Sequence, residues 1–171
     1  LDLAVRIALP RARTVCYVEG EAYCCALLAA RMEDGSLDEA PVWSDVRTFD
    51  GHPWREAVDL IVGGFPCQDI SNAGKREGID GGRSGLWSEF ARIIREVGPR
   101  FVFVENVAAL IVRGIDVVLW DLAALGFDAE WGTFSAAEVG APHKRERVFI
   151  LAFSEGGGCR EDLRGSEDAT G

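Results

Sequence analysis

Residues 58–68 read VDLIVGGFPCQ. The run at 58–62 is apolar but for Asp59, rich in β-branched Val and Ile and of strand length, and Gly63-Gly64 closes it, so it predicts a buried strand. A long loop follows, from Phe65 to about Ser84, carrying Gly74, Gly78, Gly81 and Gly82. A loop of that length inside a compact domain is uncommon and usually functional. Outward toward the C-terminus, 86–97 has the spacing of an amphipathic helix ended by Gly98-Pro99. Residues 101–104 (FVFV) form a second buried strand ending at Glu105, and 115–125 a helix closed by Gly126. Residues 127–134 alternate like a strand, and 148–153 (VFILAF) make a last apolar one. Toward the N-terminus, 1–9 has helical spacing ended by Pro10, 14–18 is strand-like, 21–32 is an Ala- and Leu-rich helix, and Val42-Trp43 is a weak strand. Strands alternating with helices predict an α/β fold with a doubly wound, mostly parallel sheet. Ligands of such sheets sit outside the carboxyl ends of the strands. Glu19, Pro66-Cys67-Gln68 and Glu105-Asn106 each follow a strand, which brings three sets of polar groups to one edge.

The chain has 171 residues, 48% hydrophobic and 27% charged, which excludes a wholly disordered polypeptide. No unbroken apolar run reaches the roughly eighteen residues of a membrane-spanning helix, and no membrane partner is expected. The formal net charge of −10 argues, taken alone, against a nucleic-acid binder. The acidity is uneven, however: 61–100 is the one stretch where basic residues outnumber acidic ones. The five cysteines, Cys16, Cys24, Cys25, Cys67 and Cys159, are odd in number and lack zinc-ligand spacing, so no metal is expected. Reduced thiols in a cytoplasmic protein, four of them buried as small hydrophobes, are the plain reading. The chain begins at Leu1 and its only methionine is Met32, which predicts a fragment of a longer protein.

Cys67 stands between Pro66 and Gln68 at a strand's carboxyl end, a position suited either to a packed core thiol or to a positioned nucleophile. Glu105, directly after four apolar residues, is expected to be partly buried and so suited to hold or donate a proton. Arg145 and Arg147 alternate just before VFILAF, which places both on one face as a clamp for phosphate or a base carbonyl. His143, in the same segment, has no metal partner in view and reads as structural.

GGFPCQ, VFVENV and APHKRERVFIL, in that order, resemble the cytosine-5 DNA methyltransferase family, and the resemblance runs from Leu1 to about Phe153. It implies a Rossmann-like fold that binds S-adenosylmethionine, with Cys67 as nucleophile and Glu105 gripping the target cytosine. Arg147 would hold the ring carbonyl, and Arg145 the flanking phosphate or the cysteine loop. His143 stands where the family has glutamine. Glu19 falls at the position that holds the cofactor ribose, Asp45 at the one that meets the adenine amino group, and Val46, Pro66 and Leu86 at further cofactor positions. Gln68, Ser71, Lys75, Arg76 and Arg83 would meet duplex DNA, from which the cytosine must be flipped out.

Against that family, residues 1–153 are expected to be a partial catalytic domain, lacking the first strand and its Gly-rich cofactor loop. Residues 154–171 are expected to be a flexible tail toward a target-recognition region. The fragment is expected to be inactive alone. Its parent is expected to be a cytoplasmic, monomeric enzyme of a bacterium or phage, with a restriction endonuclease as companion. The same reaction on transfer RNA, or a catalytically inactive regulatory member, are the alternative functions. An unrelated Cys-dependent enzyme on an α/β sheet would need a base histidine near the thiol, and His52 and His143 form no recognised pairing.

Overall fold

The computed structural model describes residues 1–66 and 85–154. The expectations for Cys67, Gln68, Ser71, Lys75, Arg76 and Arg83, and for 155–171, lie outside the described residues. The order of elements is α1 (Asp2–Ala8), β1 (Tyr17–Val18), α2 (Ala22–Glu33), β2 (Val42–Trp43), β3 (Leu60–Gly64), α3 (Leu86–Val97), β4 (Phe101–Val107), α4 (Leu110–Arg113), α5 (Ile115–Ala124), β5 (Phe127–Ser135) and β6 (Glu146–Ser154). Short 3-10 turns at Val46–Thr48, His52–Trp54 and Ala136–Val139 join them.

Two sheets result: β1–β2, parallel, and a four-stranded sheet in the order β3-β4-β6-β5. Within the larger sheet β3 and β4 are parallel, while β6 runs antiparallel to both β4 and β5. Three strands therefore share one direction, and β6 is a reversed strand inserted between two of them. The link from β5 to β6 is shorter than the crossover of about a dozen residues that a parallel return needs, so the chain comes back antiparallel.

The core lies on one face of this sheet. Val102 and Val104 of β4 and Val148 and Ile150 of β6 are fully buried against Trp87, Ala91 and Ile94 of α3 and Val118 and Leu122 of α5. Burial of each such aliphatic side chain contributes roughly 1.5–3 kcal/mol. In α3 the positions 87, 91 and 94 recur at helical spacing, and Gly98 ends the helix in the left-handed conformation at φ 60°. The opposite face carries Phe103, Phe149 and Phe134, with Phe103 and Phe149 stacked at 5.7 Å; Phe134 stays 59% exposed. α1 and α2 contribute no buried residue.

Several boundaries differ from expectation. β1 is confined to two residues. β3 continues through Gly63 and Gly64, which the sequence reads as a stop. Both glycines are there for close approach: a Cβ on Gly63 would lie 3.0 Å from the Phe90 ring, and one on Gly64 2.8 Å from the Glu105 carbonyl oxygen. β4 extends to Val107, so Glu105 lies within the strand rather than after it. Cys16, Cys24 and Cys25 are free and half-buried, not sealed in the core. Among the described residues no helix is long and apolar enough to cross a membrane.

Candidate active site

Glu105 and Arg147 meet. They sit on neighbouring strands, Glu105 opposite Phe149 and Arg147 opposite Val107, and alternation turns both to the phenylalanine-bearing face. The Arg147 Nε lies 2.6 Å from Glu105 Oε1, and both side chains keep partial access to solvent. Across the other edge of β4, Glu105 is in register with Gly64, whose missing side chain lets β3 pass close by. Arg145 precedes β6 and is exposed; its carbonyl accepts the Ala136 N–H. His143 is exposed too.

The strand end leading to Cys67 is tied down from two sides. Asn106, buried in β4, donates its Nδ2 hydrogen to the Phe65 carbonyl at 2.8 Å, while its Oδ1 accepts the Val107 N–H. The Phe65 ring lies 4.9 Å from the Trp87 ring, and the Trp87 indole N–H donates to buried Asp121 at 2.8 Å. Pro66, next in the chain, is exposed; Cys67 itself lies outside the described residues.

A cavity of about 940 Å³ opens between β1 and β3, lined from both sheets and from α3. Glu19, Asp45, Val46 and Leu86 all line it, so four of the expected cofactor positions share one space; Pro66 is not among its walls. One oxygen of each carboxylate is already used locally. Glu19 accepts the Glu21 N–H at 2.8 Å, and Asp45 accepts the Arg47 N–H at 3.0 Å, capping the turn Val46–Thr48. Among the described residues no hydrogen bond to their second oxygens is seen, which leaves those oxygens facing hydroxyl or amino donors. Val46, Phe65, Leu86 and Phe90 supply apolar wall. Two carboxylate acceptors plus apolar surface fit a nucleoside, whose free hydroxyls and exocyclic amine are donors. Cys16 also lines the cavity, where burial pushes its thiol above the ordinary value.

Sequence reasoning missed Arg92. It projects from α3 and donates to the carbonyls of Val46 and Phe49, each at 2.9 Å, and pairs with Glu89 and Glu96 on its own helix. The available signal was the acidic residue three positions before it and the one four positions after.

A mixed sheet with one reversed strand, covered by helices and set beside a cavity lined by carboxylates, has the Rossmann-like fold of S-adenosylmethionine-dependent methyltransferases. The family model for C-5 cytosine-specific DNA methylases matches residues 4–163, and the chain belongs to that family. It is 38% identical over 117 residues to the type II methyltransferase M.CviJI of Paramecium bursaria Chlorella virus IL3A, covering 68% of this chain and 32% of that one. To the type II methyltransferase M.PspPI of a Psychrobacter strain it is 33% identical over 156 residues, 88% of this chain and 35% of the relative. The chain thus spans about a third of the length of these curated relatives. Among solved structures, a Dnmt2 methyltransferase of S. pombe superposes with a TM-score of 0.68 over 98% of this chain and 52% of its own, at 20% identity, a likeness of fold.

Proposed function

We propose that the protein carrying this chain transfers a methyl group from S-adenosylmethionine to carbon 5 of cytosine in duplex DNA, through a covalent bond to Cys67. The observation that carries this reading is the Glu105–Arg147 pair, a carboxyl and a guanidinium set 2.6 Å apart beside the strand end that leads to Pro66-Cys67.

Carbon 5 of cytosine is too weak a nucleophile to attack a sulfonium methyl group. The Cys67 thiolate adds to carbon 6, and the ring electrons it displaces make carbon 5 nucleophilic. As Arg147 turns from Glu105 to the ring carbonyl, Glu105 takes up a proton and gives it to ring nitrogen 3 as negative charge develops there. S-adenosylmethionine, when bound, would supply the activated methyl group for carbon 5, with the neutral thioether as leaving group. A base then removes the carbon 5 proton, the carbon–sulfur bond breaks to return the thiolate, and nitrogen 3 gives its proton back. Glu19 would hold the cofactor ribose and Asp45 its adenine amine, with Val46 and Leu86 as apolar walls. Arg145 would hold a phosphate or the cysteine loop. Gln68, Ser71, Lys75, Arg76 and Arg83 would meet the DNA around a flipped cytosine. A restriction endonuclease of matching specificity would be the companion.

The cavity also supports the expected division of the chain. Among the described residues β1 and β3 are each paired on one side only, and residues of both line the same space. A parallel strand inserted there would join the two sheets and carry a Gly-rich loop to the cofactor.

The test is labelled methyl transfer by the full-length protein, with duplex DNA and transfer RNA offered separately. Label recovered as 5-methylcytosine from DNA supports the reading. Label confined to transfer RNA, or found on another atom, overturns it.

A further inference from the structure

One ion pair lies outside the chemistry just described yet holds a segment that lines the same cavity. The segment 46–51 runs from the turn behind Asp45 to Gly51, and it is docked on α3 by hydrogen bonds from side chain to backbone. Arg92 donates Nη2 to the Val46 carbonyl and Nη1 to the Phe49 carbonyl, each at 2.9 Å. Glu96, one turn further along α3, accepts the Gly51 N–H at 2.8 Å. Arg92 and Glu96 are themselves joined at 2.8 Å, and Glu89 holds the Arg92 Nε at 2.8 Å from the other side. The guanidinium plane is therefore fixed by two carboxylates and gives two further donors to main-chain carbonyls. A lysine has no planar fork with which to span both.

Packing reinforces the dock. Phe49 is buried with Ile93 and Val97 of α3, and Val46 rests against the same cluster. Gly51 is also needed: a Cβ there would lie 2.9 Å from the Glu96 Cβ. What this dock presents to the cavity is Asp45 at the head of the turn, with its carboxyl capping Arg47, and Val46 beside it.

We infer that Arg92, with Glu96, is a positioning residue for nucleoside binding: it sets the height and tilt of the Asp45–Val46 corner and so tunes affinity for the methyl donor without touching it. The inference rests on the reading of the cavity as the S-adenosylmethionine site. It concerns the cofactor alone, since Glu105 and Arg147 stand on other strands.

The experiment measures S-adenosylmethionine binding by calorimetry in the full-length protein, for the unsubstituted form, Arg92→Met and Arg92→Lys. Duplex-DNA affinity, thermal melting and amide exchange at 46–49 are recorded alongside. Arg92→Met is expected to weaken cofactor binding at least about tenfold, with DNA affinity within about twofold and faster exchange at 46–49. Arg92→Lys is expected to fall between the two. If Arg92→Met fails to fold, Arg92→Lys carries the test: cofactor binding weakened with DNA affinity kept supports the inference. Cofactor affinity unchanged in the folded variants, or lost in parallel with DNA affinity, overturns it. An unsubstituted protein that binds no S-adenosylmethionine overturns the reading of the cavity itself, and the inference with it.

Discussion

Glu105 and Arg147 illustrate how much a strand's register decides at single residues. Both lie on the face opposite the sealed valines, close enough to pair, and open enough to meet a ligand. Loss of a positioned proton donor costs about 10²–10⁴ in rate. Glu105→Gln in the full-length protein should therefore lower kcat for methyl transfer at least about a hundredfold while leaving S-adenosylmethionine binding within about twofold. Steady-state kinetics with calorimetry decides; a glutamine variant of near-normal kcat would remove Glu105 from the chemistry. The glutamate and both arginines were legible as candidates because charge beside an apolar run is unusual. Their pairing was not legible, because it depends on β6 lying next to β4, which a pattern along the chain does not contain. Asn106 was equally opaque: a buried amide is tolerated here only because the Phe65 carbonyl, far away in sequence, accepts from it.

At the scale of elements, α3 was readable to the residue, since its apolar spacing and its Gly98 terminator are both local signals. The 3-10 turns at Val46–Thr48 and His52–Trp54 were not, because long-range bonds from Arg92 and Glu96 help hold this stretch. Two predictions belong here. Gly51→Ala forces a Cβ to within 2.9 Å of Glu96 and 3.0 Å of Val97, and overpacking of this kind costs about 1–3 kcal/mol. Urea unfolding should show that loss, and an alanine variant as stable as the parent would contradict the close approach. The second concerns acid. Burial pushes the Glu96 carboxyl up, but hydrogen bonds from Arg92 and the Gly51 N–H, with the charges of Arg92 and His52, outweigh it and hold the group below its ordinary value near 4.5. A carboxyl depressed on folding adds stability that is complete above its unfolded value and disappears as pH falls through the folded one. The stability advantage of the parent over Glu96→Gln should thus be constant near neutral pH and shrink as pH falls below the ordinary carboxyl value near 4.5. An advantage that persists in acid would contradict it.

At the scale of the whole molecule, the order of strands and helices was legible because alternation of period is written along the chain. The division into two sheets was not, since each strand's pattern is satisfied whether or not its neighbour is a strand. Among the described residues the sheet beside the cavity is divided, and α1 and α2 bury no residue. Residues 1–171 alone should accordingly bind S-adenosylmethionine far more weakly than the full-length protein. Calorimetry on both checks this, and equal affinities would show that no further strand is needed. The net charge of −10, which taken alone speaks against nucleic acid, is concentrated away from 61–100, the stretch proposed to meet DNA.

The account turns on a covalent bond between Cys67 and cytosine, and that bond can be trapped. Fluorine at carbon 5 cannot leave as a proton does, so elimination stops after methyl transfer. Full-length protein incubated with S-adenosylmethionine and a duplex containing 5-fluorocytosine should yield a denaturation-resistant complex whose digest carries the nucleotide on the Cys67 peptide. Cys67→Ser should yield none. A complex formed through another residue, or methyl transfer that survives Cys67→Ser, would contradict the mechanism.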